Sequence, residues 1–510
     1  MNQPLQEPWW KRALIVGFAG LLFSLCMAMA ISMGSALRIA PLVAIERAGI
    51  DLGQRTYVAF APWLDPSFQT KAGASYVFVD VNTEACVRFS SDPDDCLTGR
   101  PVPAALIADF ARASAVSGAK VVIIDVAPPD DPAERARLLA ALSHPTGPYF
   151  IAPLNSRPDL SRGILAQRLD RQGSLTPRLA EGRLRLAPIA TTADIGAGDG
   201  VIRHFPLLIA IREGQGQPDR WLPSAPLLAA LLADPATAKA VDCRFYVAVA
   251  SGCAAAAKSP LLDQALAFGR DPGLRNRIQY SLPSLAALSP RDEDRLRSRY
   301  LGRYDRYPAS GLLDDRGFAI PDGVLTDRIV VLGSSQVQGG DWHATPLGAM
   351  TGSEIVLNAT RAFIEFSPLR EGTGASPAGR QILQGLNAFM AKFKGIVIGA
   401  LIMTLCWLTI FGLNGRMKRR GRLSSLLSVL LFVGFMGALF VLEVFAGLGA
   451  LRGASGPVQA VDLLTPVVAL GLEGFAEAAR SFTQQAEALG QSIFNRLMGQ
   501  RSQAASSEEI

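Results

Sequence analysis

The chain has 510 residues, of which 49% are hydrophobic and 18% charged; its net charge is +6 and its mean hydropathy +0.24. That balance argues against a wholly soluble protein and leaves room for roughly two to four domains. Basic residues are scattered apart from one cluster at Arg416–Arg422, so no nucleic-acid footprint is present.

Residues 1–12 end in Trp9, Trp10, Lys11 and Arg12, an aromatic pair and a positive flank that place the N-terminus in the cytoplasm. Residues 13–37 then carry no ionisable side chain except Cys26, enough length for a first transmembrane helix. A cleavable signal peptide is the alternative, since Ala28-Met29-Ala30 offers small residues. The apolar run is longer than a usual signal core, which favours an uncleaved anchor. Either way residues 38–390 are expected outside.

In that exported body the runs Tyr76–Val81 and Val121–Val126 are apolar, β-branched and too short for helices, and each holds one acid, Asp80 and Asp125. They read as buried parallel strands. Between them Pro103–Ser117 sets Leu106, Ile107, Phe110, Ala113 and Val116 at helical spacing, which makes a strand-helix-strand unit. Phe205–Ile211 reads as a strand and Ser224–Leu232 as a helix. Arg328–Leu332 reads as a strand ending at Gly333, and Ser353 as the cap of a helix over Glu354–Phe366. The expected fold class is α/β, a mixed and largely parallel sheet with flanking helices, joined to one N-terminal and three C-terminal transmembrane helices.

Four cysteines fall in the exported segment, Cys86 and Cys96, then Cys243 and Cys253. In an oxidising compartment, pairing within each local couple is the simplest of the possible connectivities. A metal site is the weaker reading: no tight CxxC is present, and His144, His204 and His343 are far apart in sequence. No metal and no cofactor is expected.

Past the exported body, residues 395–414 and 423–442 read as transmembrane helices separated by the Arg416–Arg422 cluster, which should be cytoplasmic. Residues 458–475 are a weaker span, bracketed by Asp462 and Glu473 and containing Pro466. In the tail, 476–510, the residues Ala479, Phe482, Ala486, Leu489, Ile493 and Leu497 continue from Phe475 at spacings of a coiled-coil seam or of a helix lying on a membrane surface. The tail is expected to hold no catalytic core.

The motif order is specific. Val77–Asn82 (VFVDVN), Gly118–Asp125 (GAKVVIID), Asp199–Arg203 (DGVIR) and Leu222–Ser224 (LPS) are followed by Asp327–Ser334 (DRIVVLGS), Asp341–Gly348 (DWHATPLG) and Gly352–Ala359 (GSEIVLNA). Together they resemble the type-two CHASE domain, an extracytoplasmic sensory module of bacterial cyclases, histidine kinases and related receptors. The resemblance covers roughly Arg38–Pro368, and members typically carry one helix before the domain and about three after it. It implies a multi-pass protein of a bacterial inner membrane with its large domain in the periplasm, and it suggests a homodimer. Typical members continue past the last span into an output domain, and residues 476–510 are expected to hold none. The chain departs from the family after the first strand, where a tryptophan and a proline give way to the Cys86–Cys96 insertion.

For ligand binding, Asp80, Asn82, Asp125 and Ser334 sit at or near carboxyl ends of strands, where α/β sheets usually bind ligands. Asp341 and Thr345 follow in the next loop with His343, and Arg203 supplies charge. This reading gives a pocket for a small polar ligand. In the weightier alternative, Asp80 and Asp125 cap loops and pair with donors such as Arg203, while Asp341 and Thr345 hold a turn. Ser117–Lys120 matches the SxxK pattern of acyl-enzymes by chance, with no partner motif, and Gly196, Gly198 and Gly200 form a loop. No enzyme is expected. The leading expectation is a sensor or signal relay acting through a cytoplasmic or membrane partner in trans. The second is an accessory subunit whose exported domain is a platform for an envelope protein.

Overall fold

Tyr76–Asp80 (β1) and Ile329–Gly333 (β7) are buried at every position. Strands buried on both faces read as unbroken apolar runs, because helices cover the two sides of a parallel sheet. The computed structural model describes residues 76–90, 102–154, 179–189, 200–212, 220–246, 304–335 and 341–366, with short pieces and single positions between 51 and 284. All of them belong to the compact unit that contains Asp51–Phe389. Segments 13–37, 395–414, 423–442, 458–475 and the tail lie outside the described residues. Among the described residues no helix is long and apolar enough to cross a membrane.

The main sheet has seven strands. Besides β1 and β7 these are Val121–Ile124 (β2), Tyr149–Pro153 (β3), Ala180–Glu181 (β4), Leu184–Ala187 (β5) and Tyr304–Pro308 (β6). Their order is β6-β1-β7-β2-β3-β5-β4, parallel throughout except for the β5–β4 hairpin at one edge. The strand-helix-strand unit is present, but β1 and β2 are not neighbours: β7, late in the chain, inserts between them. Register places Asp80 opposite both Gly333 of β7 and Pro308 of β6.

The helices follow their apolar spacing. Ala104–Val116 (α2) buries Leu106, Ile107, Phe110 and Ala111. It packs on Pro132–Leu142 (α3), which Asp131 caps with hydrogen bonds from the backbone of Ala133 and Glu134. Val116, predicted on the apolar face, is 90% exposed. It is the last residue of the helix. Ala225–Leu232 (α4) and Gly352–Phe366 (α5) pack against each other, α4 along β2 and β3 and α5 along β1 and β7.

Two expectations need correction. Phe205–Ile211 is not one strand: His204–Phe205 pairs with Asn276–Arg277, whereas Leu208–Arg212 pairs with Arg220–Pro223. Pro206 falls between them, and proline has no N–H to continue a ladder. Ser353 is not the cap of α5. The Glu354 N–H donates to Thr351 Oγ1 at 3.2 Å and the Glu354 carboxylate accepts the Thr351 N–H at 3.3 Å, a reciprocal capping box that makes Thr351, two residues earlier, the cap.

Cys86 and Cys96 form a disulfide, and both are buried. It anchors Thr83–Phe89 (α1), the helix that follows β1 directly. Cys243 is also disulfide-bonded, and its expected partner Cys253 lies outside the described residues. Cys243 sits in a π-helical turn, Asp242–Tyr246, which Arg185 of β5 holds through two hydrogen bonds of 2.6 Å to the Asp242 carboxylate.

Candidate functional site

β1, β7 and β2 end side by side, and at this edge the polar residues form two knots on either side of Gly333–Ser335. The first surrounds Asp80, which is 1% exposed. Its Oδ1 accepts the Ser335 N–H at 2.7 Å, and its Oδ2 accepts from Ser335 Oγ at 2.6 Å and from Arg306 Nη2 at 2.5 Å. Three donors, one of them a guanidinium, satisfy a carboxylate that would be costly to bury alone. Asn82 caps α1 by accepting the Ala85 N–H and donates to Ser310 Oγ at 2.8 Å. Ser334 Oγ donates to the Val81 carbonyl at 3.0 Å, closing β7 onto β1.

The second knot lies at the end of β2. Ser353 Oγ donates to Asp125 Oδ2 at 2.7 Å. Ser353 reaches that position because Gly333 has no side chain: a Cβ there would lie 1.8 Å from Ser353 Oγ. Asp341 begins the hairpin Trp342–Thr345/Gly348–Thr351, and its carboxylate lies against Gly352, where a Cβ would meet Asp341 Oδ2 at 2.2 Å. The two carboxylates therefore flank two consecutive residues of the first turn of α5. His343 Nε2 is 3.0 Å from Asp341 Oδ1. Burial, first, and the Asp341 charge, second, push the Asp125 carboxyl from 3.8 up to about 7, with the Ser353 hydrogen bond and His343 pulling the other way.

Of the residues expected to bind ligand, the fold brings Asp80, Asn82 and Ser334 into the first knot and Asp125 and Asp341 into the second. Adjacent strands are about 4.8 Å apart, so with β7 between them Asp80 and Asp125 are separated by about 10 Å. Thr345 holds the hairpin turn, donating to the Gly348 carbonyl at 2.6 Å. Arg203 meets neither acid: it is buried and engages Asp51 through Nε and Nη2, the shortest contact being 2.7 Å. The pairing of Asp80 or Asp125 with Arg203 is thus replaced by Arg306 for Asp80, because β6 is the direct neighbour of β1. Arg306, Ser335 and Ser353 escaped the sequence reading. Arg306 lies in YDRYP, a strand without apolar periodicity, and Ser353 looked like a cap.

The domain is a mostly parallel α/β fold with Asp80 and Asp125 at the carboxyl edge of its sheet, a Cys86–Cys96 disulfide and a second disulfide-bonded cysteine, Cys243. The family model of the CHASE2 domain matches residues 25–403, about three quarters of the chain. The chain belongs to the CHASE2 domain family, a family of extracellular sensory domains. No curated protein and no solved structure matches it.

Proposed function

We propose that the chain is a membrane-anchored sensor whose exported CHASE2 domain perceives an envelope cue and relays it to a partner in trans. The observation that carries this reading is the family match over residues 25–403, joined to a carboxyl edge where acids from different strands converge. The apolar segments 13–37, 395–414, 423–442 and 458–475 supply the anchor as transmembrane helices in a bacterial inner membrane. The domain then faces the periplasm, and the Arg416–Arg422 cluster faces the cytoplasm. The cue shifts an equilibrium between arrangements of the domain through differential binding. The reading gives the chain no catalytic step of its own, and a homodimer fits it.

The rival reading, an accessory subunit with a protein-binding platform, calls for a broad exposed apolar patch. Among the described residues the large exposed apolar side chains are Val87 and Val116. That favours the sensor. The test is to purify the tagged full chain from its own cells in mild detergent and to identify what stays bound. A cyclase, kinase or regulator whose recovery needs residues after Phe475 supports relay in trans. Envelope or secretion components held through residues 38–390 make the chain a platform.

A further inference from the structure

Several buried or half-buried carboxylates among the described residues hold guanidinium groups. Asp80 pairs with Arg306, Asp51 with Arg203, Asp242 with Arg185 and Asp305 with Arg328. Asp125 has a single hydrogen bond, from Ser353, and no cationic side chain within ion-pair distance among the described residues. In place of an arginine it faces another acid. Asp341 is kept close by its contact with Gly352, one residue before Ser353. A site built to hold a fixed negative charge supplies a cation or several hydrogen-bond donors, and Asp125 has one donor, Ser353. A site that pairs two carboxylates across one turn binds a proton instead, because two like charges in partial burial cannot both ionise freely.

We infer that Asp125 is a proton-binding site, and that its protonation releases the repulsion across Gly352 and Ser353 and resets the first turn of α5 with its preceding hairpin. The inference rests on the sensor reading for its meaning as a signal, and it names the cue at the carboxyl edge: the proton itself.

The groups facing Asp125 are few. From the hairpin come Asp341, whose side chain is 53% exposed, and His343, 34% exposed, so water reaches the cluster. From α5 comes the Ser353 hydroxyl. The next residue, Glu354, turns its carboxylate away to Thr351 and Ser284. From the end of β7 comes Gly333, which is uncharged. Burial and the Asp341 charge raise the Asp125 carboxyl to about 7, inside the range an exported domain meets. Below it a neutral Asp125 leaves Asp341 to His343. Above it both acids are charged, and the strain falls on the hairpin and on the end of the helix between them. α5 is the last described element before the apolar segments that begin at residue 395, so a change in its first turn lies on the route by which the chain leaves the domain.

The test is hydrogen exchange of the purified full chain from pH 5.5 to 8.5, with rates corrected for intrinsic exchange and read in peptides covering 341–357. The native chain is expected to show a several-fold change in protection centred near 7. Asp125→Asn should hold the low-pH protection at every pH. Asp341→Asn should move the midpoint down and His343→Gln should move it up. These opposed shifts are readable even if Asp125→Asn folds poorly, and a merely structural role would not produce them. Flat protection in the native chain, or a transition that persists in Asp125→Asn, overturns the proton site. If protection is flat while partner association answers another cue, the proton site fails and the sensor reading survives. A transition near 7 that leaves partner association unmoved keeps the proton site and removes the sensor.

Discussion

Arg306, in the middle of β6, places Nη2 at 2.5 Å from Oδ2 of Asp80 at the end of the neighbouring strand β1. The acid is buried and its partner nearly so, which makes the pair a structural tie. Removing one member of such a pair leaves an uncompensated buried charge and typically costs about 3–5 kcal/mol. Asp80→Ala is therefore expected to lower the urea midpoint of the domain sharply. Asp80→Asn combined with Arg306→Met should recover part of the loss, with a coupling of roughly 1–3 kcal/mol in a double-mutant cycle. An Asp80→Ala chain of native stability that no longer answers its cue would instead make Asp80 a ligand contact.

The Cys86–Cys96 bridge closes a short loop directly after β1, and α1 hangs on it. By the loop-entropy relation a loop of this length stabilises the folded state by roughly 2–3 kcal/mol. The Cys86→Ser/Cys96→Ser double variant should lose about that much in urea unfolding, and α1 should exchange hydrogen faster than α2. Equal midpoints with and without the bridge would show that the buried packing of α1 suffices alone.

How much of this domain could be read beforehand depended on where the information lay. β1, β2, β7 and α2 were legible because each is a local apolar pattern with the period of its element, and the order of motifs carried the family. The insertion of β7 between β1 and β2 was not legible, since sheet order is set by packing between segments far apart in sequence. The same limit hid the partners of the acids: Arg306 lies more than 200 residues beyond Asp80, in a strand that carries the adjacent charged residues Asp305 and Arg306. The capping box at Thr351 and Glu354 was visible as T-x-x-E, but Ser353 drew attention from it.

Gly333 ends β7 under the side chain of Ser353, and a Cβ there would sit 2.5 Å from Ser353 Cβ and 3.3 Å from the Phe78 ring. Overpacking of this kind costs about 1–3 kcal/mol. Gly333→Ala should therefore destabilise the domain and break the Ser353–Asp125 hydrogen bond. Adding Ser353→Gly removes the clashing side chain and should restore much of the stability but not the hydrogen bond. Thermal unfolding of the two variants separates these effects, and a Gly333→Ala chain as stable as the native one would mean that α5 shifts to make room.

The stability of the folded domain should also depend on pH through Asp125. Its carboxyl binds a proton in the folded state up to about 7, whereas the unfolded chain releases that proton near 3.8. Between those values the native state binds more protons than the unfolded state, so stability falls as pH rises and the loss is complete once pH passes about 7. Each pH unit is worth at most about 1.4 kcal/mol, which sets a ceiling of about 4 kcal/mol. Water reaches the half-buried cluster, so the observed loss should be nearer 1–2 kcal/mol. Asp125→Asn carries no charge at any pH, so relative to the native chain it should gain stability as pH climbs from 5 to 8. Urea midpoints for both chains over that range provide the check, and parallel profiles would mean that Asp125 titrates where an ordinary aspartate does.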